Sequence, residues 1–448
     1  MFRVLDLERE RSEWDARIAD LPLDLQDVYF TAGYHLLWQR HGDGRACGAV
    51  LETDTGTVLY PFLLRPLEPV LGPQWADRCD LSSAYGYGGP LVHSTHRKAA
   101  ETTAPTTTLP PAERSEDLAV SHAAAADPDR RRLLAELRRR FAGWCAERGV
   151  VSEFIRFHPL LQTERDMPPG PLDAGGDCSP KDEAAGGGRS AMGSSTVEPE
   201  PDGEMPPARV GGAGTGAGGV EVVPANETVW CRLSTPEEHR SSLSSSTRRN
   251  LRKAERAGLT CTAEDDDSAW AAFMDLYTDT MKRRSASDYY LFPRRYFDDC
   301  RELLGDRAAL LCVRRPAQSV GDRRTGAGAI VAAALFLRSP QAVHYHLGGS
   351  DAAALAERPN NLLFVTAMDR GAALGATRMH LGGGFRSGGD DELFRFKAGF
   401  SPLRSRLYVG RCVHDQEAYA RALQAWRERG GGDPGGYFPA YRAPLGGS

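Results

Sequence analysis

The residues best suited to chemistry lie together between His380 and Phe400, in the stretch HLGGGFRSGGDDELFRFKAGF. Three glycines follow a short apolar run. A second glycine pair and two aspartates come next, and Lys397 is set between Phe396 and Phe400. An ammonium buried without a partner is costly, so a lysine there either snorkels its head to water or has a task. Glycines let a ligand approach the backbone, and a fixed cation in an apolar, glycine-lined site suits a reaction that develops negative charge.

Other segments offer weaker signals. SSTRRNLRKAERAG is the most charged helix of the chain, and Thr247 to Gly258 holds five bases against one acid, Glu255. Arg248, Arg252 and Arg256 fall four apart on one face, with Arg249 and Lys253 in a neighbouring row. Such a helix is either a solvated surface or a contact for phosphates of a nucleotide or an RNA backbone. DLSSAYGYGGPLV carries Tyr85 and Tyr87 in a glycine-rich exit from an apolar run. This is a ligand approach or a tight turn with packed tyrosines. In HYHLGG, His344 and His346 alternate on a strand, but the sequence shows no third metal ligand. Arg323, Gly326 and Gly328 match R-x-x-G-x-G, the pyrophosphate loop of acetyltransferases. That loop should open a helix, whereas here it precedes the apolar run AIVAAALFL. No G-x-S-x-G nucleophile motif is present.

The elements that must position these residues read clearly. GAVLETDTGTVLYPFLLRPL predicts a hairpin turning at Asp54-Thr55-Gly56. Leu133, Leu134, Leu137, Phe141, Trp144 and Cys145 recur at helical spacing before a stop at Gly149, and VSEFIRFHPLL follows as a strand. Trp270, Phe273, Met274, Tyr277 and Met281 form one stripe of a helix with acids at its start and Lys282, Arg283 and Arg284 at its end, as the macrodipole favours. GAIVAAALFLRSPQAVHYHLGG predicts a strand pair, NLLFVTAMDRGAALG a helix and TRMHLGGG the next strand. A last helix runs from Asp415 to about Arg429 with Tyr419, Leu423 and Trp426 inward.

The chain has 448 residues, 41% hydrophobic and 26% charged, an ordinary globular composition. Its net charge of −5 is concentrated: Glu164 to Gly219 holds ten acids and four bases, or −6, so the remainder is +1. That segment and the Thr/Ala/Pro-rich stretch at about 99–127 cannot bury enough apolar surface to offset ordering entropy. The expected organisation is therefore an N-terminal domain over 1–163 with an insertion at about 99–127, a disordered linker over 164–219, and a C-terminal domain over 220–448. The last helix, about 415–429, is placed to pack back on the N-terminal domain. Both domains mix strands and helices, an α/β (α+β) class. Nine scattered cysteines without a CxxC pair indicate neither a zinc site nor a disulfide framework. The charged N-terminus MFRVLDLERERSEWD has no apolar signal region, and no apolar run approaches the length of a bilayer span. A cytoplasmic location is expected.

Taken together, SSTRRNLRKAERAG, FMDLYTDTMKRR, YYLFPRRYF, HYHLGG with LLFVTAMDRGAALG, and LGGG…DDELFRFKAGF resemble the Fem-type aminoacyltransferases (the FemABX family). YFTAGYHLLWQRHG and AYGYGGPLV fit the first domain of that family. The resemblance implies two GNAT-like domains, each a mixed twisted sheet flanked by helices. The chain resembles the armless type of that family, because the basic helix is followed almost directly by Asp265. The implied activity is transfer of an amino acid from aminoacyl-tRNA to an amine on a cell-wall precursor or peptide-like natural product. An acyl-CoA-dependent N-acyltransferase and a non-catalytic GNAT-like binding protein are the alternatives. The partners would be charged tRNA and a small-molecule or peptide amine; no cofactor and no metal is expected. The matching segments give candidate catalytic residues Lys397, Phe396 and Asp391. They also give candidate substrate-binding residues Tyr85, Tyr87, Arg249, Asn250, Lys253, Arg283, Arg284, Tyr345, His346, Gly383, Gly384 and Arg395. Lys397 would stand near the ester carbonyl and Phe396 would shape the wall. Asp390 and Asp391 would take the amine's proton, hold the acceptor ammonium, or cap the next helix. Where the family has Gln-Ser and Trp…Lys, this chain has Thr31-Ala32 and Tyr34…Arg40, a departure that counts against a phosphate-bearing peptidoglycan acceptor.

Overall fold

The computed structural model describes residues 1–95, 127–168, 219–316, 319–320, 323–324, 328–384 and 391–445. The expected insertion up to residue 126, residues 169–218 of the expected linker, Gly326 and Asp390 lie outside the described residues. Two boundaries shift. Asp127, placed at the end of the insertion, caps a helix by accepting the N–H groups of Asp129 and Arg130. Glu164–Pro168, placed at the head of the linker, is packed: Met167 is buried and the Asp166 carboxylate lies 3.3 Å from Arg131 and 3.5 Å from Arg130.

The strands are β1 (Phe2–Asp6), β2 (Arg45–Thr53), β3 (Gly56–Pro66), β4 (Cys79–Ser82), β5 (Leu91–Ser94), β6 (Val150–Arg156), β7 (Glu221–Arg232), β8 (Thr260–Ala263), β9 (Ala308–Arg314), β10 (Ser319–Val320), β11 (Arg323–Arg324), β12 (Ile330–Arg338), β13 (Ala342–Ser350), β14 (Arg378–Gly382) and β15 (Arg404–Val413). The helices are α1 (Arg11–Ala19), α2 (Ala32–His41), α3 (Glu68–Leu71), α4 (Pro128–Glu147), α5 (Pro236–Ser242), α6 (Ser245–Arg256), α7 (Asp267–Arg283), α8 (Arg294–Leu304), α9 (Pro359–Ala373), α10 (Glu392–Ala398) and α11 (Gln416–Glu428).

Among the described residues, thirteen strands form one sheet in the order β1-β2-β3-β4-β6-β15-β7-β14-β13-β12-β9-β8, with β5 paired to β3. The β4–β6 and β13–β14 pairs are parallel and the other pairs antiparallel, so the sheet is mixed. β15, from the end of the chain, lies between β6 and β7 and joins the strands of the two halves edge to edge.

Apolar periodicity translates directly into packing. Leu133, Leu134, Leu137, Phe141 and Cys145 of α4 are buried against Tyr60, Phe62, Leu81 and Ile155 of the sheet. Trp270, Phe273, Met274 and Tyr277 of α7 are buried in a second cluster with Leu335 and Leu347. A buried side chain of this size contributes roughly 1.5–3 kcal/mol. Glycine sets how close α7 comes: a Cβ at Gly349 of β13 would meet the backbone of Leu276 and Tyr277 at 2.4 Å. The last helix, α11, buries Trp426 against Leu67, Leu71 and Val151.

Candidate active site

Lys397 sits on α10, immediately after the glycine exit from β14. The start of α10 is fixed by Asp391, whose Oδ1 accepts the Phe394 N–H at 2.9 Å, an N-cap. A Cβ at Gly384 would fall 2.3 Å from Asp391 Oδ2, so only glycine lets the exit pass this carboxylate without a shift. Lys397 is 5% exposed, buried and not snorkelled. Its Nζ donates to the Gly383 carbonyl at 2.5 Å and lies 5.6 Å from the centre of the Tyr345 ring. A carbonyl and a ring face are both partners that a buried ammonium can use. A Cβ at Gly382, at φ +76°, would lie 3.4 Å from Lys397 Nζ and 3.8 Å from the Tyr87 hydroxyl.

Lys397, Gly383, Gly384, Asp391, Tyr345 and Tyr87 are thus brought together where the two halves meet. Burial pushes the Tyr345 phenol up to about 12, against a smaller pull from Arg284. Phe396 packs into the neighbouring apolar cluster, 5.4 Å from the Phe364 ring and 5.2 Å from Phe400. Tyr85 and His346 form a separate aromatic group, 6.1 Å apart. Tyr85 lies 5.0 Å from Trp38, and His346 Nε2 is 2.8 Å from the Tyr296 hydroxyl. Burial pushes the His346 imidazole down to about 3. Arg283 closes the end of α7 by donating to the Thr280 hydroxyl and the Ser350 carbonyl. Arg284 and Arg395 are exposed. On α6, Arg249 and Lys253 are exposed and Asn250 half-buried, while Leu251 and Ala254 face the core. α6 begins where α10 ends, since the Ser244 N–H donates to the Gly399 carbonyl at 2.9 Å. Arg40 is held by Asp299 at 2.6 Å and Glu302 at 2.8 Å.

The sequence missed a buried cluster beside this site. Asp27, ahead of α2, meets His344 of β13 and His158 beyond β6: His344 Nε2 is 2.8 Å and His158 Nε2 3.7 Å from Asp27 Oδ2. These are the partners for His344 that the sequence did not show. The Leu161 N–H donates to His158 Nδ1 at 3.1 Å, so in the neutral ring the proton is on Nε2, facing Asp27. Burial raises the Asp27 carboxyl, yet the two histidines hold it well below the usual range. His380 pairs in register with His344, and its ring lies 5.0 Å from that of Tyr87. Burial, together with the charges of His344, His158 and Lys397, holds the His380 imidazole far below its usual value. The only advance signal was the alternation of His344 and His346; no spacing ties residues 27, 158 and 344 together.

Residues 241–398 match the family described as acetyltransferase (GNAT) domain. No curated protein matches the sequence. Among solved structures, FemX is 12% identical, with 92% of this chain and 98% of that chain covered and a TM-score of 0.57. The C-terminal domain of a putative lysylphosphatidylglycerol synthetase from Agrobacterium fabrum is 14% identical, with coverages of 93% and 96% and a TM-score of 0.43. A tandem GNAT protein from the clavulanic acid biosynthesis pathway is 10% identical, with coverages of 92% and 98% and a TM-score of 0.39. Among the described residues, no helix is long and apolar enough to cross a membrane. The GNAT match and the likeness to FemX identify the fold of this chain as Fem-type and GNAT-like.

Proposed function

We propose that this protein transfers an aminoacyl group from charged tRNA to an amine, forming an amide bond, and does so in the cytoplasm. The observation that carries the reading is Lys397: a buried ammonium set on a glycine backbone beside the meeting of the two halves. An aminoacyl ester is already activated, so the reaction needs no protein nucleophile. It needs alignment of amine and carbonyl and a positive donor for the oxyanion of the tetrahedral intermediate. The amine attacks the carbonyl carbon and the oxyanion forms against Lys397. The C–O bond to the ribose then breaks, and the attacking nitrogen loses its proton as the ribose hydroxyl gains one. Asp391 acts here as a positioning residue, since it fixes the start of α10. Phe396 supports the same helix through Phe364 and Phe400. The exposed bases of α6 are the proposed contact for the tRNA backbone, and Tyr87 and Tyr345 flank the reacting centre. The commitment of Arg40 to Asp299 and Glu302 favours an acceptor whose phosphates, if any, are not read at that position.

The GNAT match keeps an acyl-CoA donor as the competing reading. RNase treatment and added salt separate the two. Transfer from charged tRNA falls steeply with salt, through loss of counterion release, and stops with RNase. Transfer from acyl-CoA that survives RNase would establish the competing enzyme. Absence of transfer from either donor, with ligand binding retained, would point to a binding protein.

A further inference from the structure

We propose that the face of the β6–β15 strand pair opposite Glu153 is a binding site for a small organic oxyanion, a phosphoryl or carboxylate group, with Arg411 and Arg156 as its donors. Arg411 is 8% exposed, and its Nε and Nη2 are buried with no hydrogen-bond partner among the described residues. Beneath the guanidinium lies the Phe438 ring, 5.9 Å to its centre. A guanidinium withdrawn from water with no acid to meet it is among the most unfavourable arrangements in a protein. Arg156 is half-buried, 5.9 Å over the Tyr85 ring and 6.0 Å over Phe154, and its guanidinium makes no hydrogen bond among the described residues.

The two arginines share a face. Phe154 pairs with Arg411 and Arg156 with Val409, which makes Arg156 and Arg411 diagonal neighbours, about 7–8 Å apart at the backbone and within reach of long side chains. Among the described residues no acid lies within ion-pair distance of either guanidinium, although the charge of Arg156 does reach Asp43. Asp80 is shared by Arg65 at 2.7 Å and Arg442 at 2.6 Å, and Arg65 Nη2 is itself buried without a partner. Asp43 accepts the Tyr289 hydroxyl at 2.8 Å. Arg65 and Arg442 thus share one aspartate, and Glu221, paired with Arg411 across β7 and β15, makes no ion pair with it among the described residues. The guanidinium fork matches the paired oxygens of carboxylate and phosphate. The rings of Tyr85, Phe154 and Phe438 supply flat apolar surface for the rest of the ligand.

The inference concerns binding alone and does not rest on the proposed transfer reaction. It is tested on the full chain without donor, by calorimetric titration and thermal unfolding with inorganic phosphate, pyrophosphate and citrate, using chloride at matched ionic strength as control. The expected result is saturable binding of a phosphoryl or a carboxylate probe, the better probe identifying the group. Binding weakens at least tenfold in Arg411→Met and in Arg156→Met. Ligand-free Arg411→Met melts no lower than wild type, because it sheds an unpaired buried charge. The proposal is overturned by absence of saturable binding for both classes of probe, by binding unchanged in both variants, or by a large drop in the melting temperature of ligand-free Arg411→Met. That drop would mark Arg411 as an anchored structural charge. Transfer activity is not a readout, so the failure of either proposal leaves the other standing.

Discussion

The two faces of the β6–β15 pair treat buried charge in opposite ways. On one face Glu153, fully buried, receives both Arg138 terminal nitrogens at 2.8 Å, the Tyr60 hydroxyl at 2.7 Å and His414 Nε2 at 2.9 Å. On the other, one residue along the same strands, Arg411 has two buried donors with no partner among the described residues. A charge whose hydrogen bonds are all made is part of the scaffold, because removing it strands its neighbours. A charge left without them is where the proposed oxyanion site has its donors. Lys397 stands between these cases. Its partners include a carbonyl and a ring, and its charge is buried beside a glycine backbone.

The comparison breaks most readily at Glu153. Glu153→Ala removes the carboxylate that both Arg138 terminal nitrogens donate to, and a loss of about 3–5 kcal/mol in denaturant unfolding is expected. A loss within experimental error would mean that the satisfied face is no more structural than the other. The same network sets a pH dependence. Burial raises the Glu153 carboxyl, but Arg138 and His414 hold it well below the usual value. Its contribution is therefore present above its unfolded value of about 4.3 and lost as pH falls below that. Burial lowers the His414 imidazole, but hydrogen bonds with Cys145, Cys412 and Glu153 push it to about 12. Its contribution is complete below about pH 6.5 and is lost as pH rises toward 12. Melting temperature should therefore fall away from a maximum between these limits, with the acid limb flattened in Glu153→Gln. An unaltered acid limb in that variant would contradict the assignment.

A smaller effect is expected at the seam between the halves. Asp27→Ala strands the His344 Nε2–H and the Tyr29 N–H, which Asp27 now accepts. The cost should be roughly 1–3 kcal/mol in the same unfolding experiment. A neutral result would show that water replaces the carboxylate. The smallest effect on stability belongs to α6. Arg249→Ala and Lys253→Ala are exposed changes expected within about 0.5 kcal/mol of wild type. Each should make the salt dependence of tRNA affinity shallower by about one charge. Salt slopes that do not change would remove α6 from the RNA contact.

What could be read in advance follows from how locally each feature is encoded. The stripes of α4 and α7, the hairpin of β2 and β3, and the strand pair β12–β13 depend on neighbours a few residues away, so periodicity showed them. Lys397 could be singled out because its aromatic and glycine neighbours are adjacent in the chain. Its acceptor, Gly383, is also close in sequence. The Asp27–His344 pair joins residues 317 apart, and nothing in DLQDVYF announces that its last aspartate meets a histidine from β13. Arg411 was hidden for a related reason. Nothing local in GRCVHDQ marks it, because β15 is inserted between β6 and β7, far apart in sequence, and is buried there. The start of the linker was misplaced because Glu164–Pro168 is polar in composition, although Arg130 and Arg131 of α4 hold it.

The central claim is that Lys397 supplies positive charge to the reacting carbonyl. Single-turnover transfer from charged tRNA by Lys397→Met tests it most directly, because methionine keeps the stem and removes the charge. Loss of one oxyanion donor costs about 2.7–4 kcal/mol of barrier, so the account predicts a rate about 100- to 1000-fold below wild type. Melting temperature and donor binding should change little, since the interaction strengthens mainly in the transition state. A rate within about threefold of wild type, roughly 0.65 kcal/mol on the same scale, would make Lys397 a packing residue and contradict the assignment of the site.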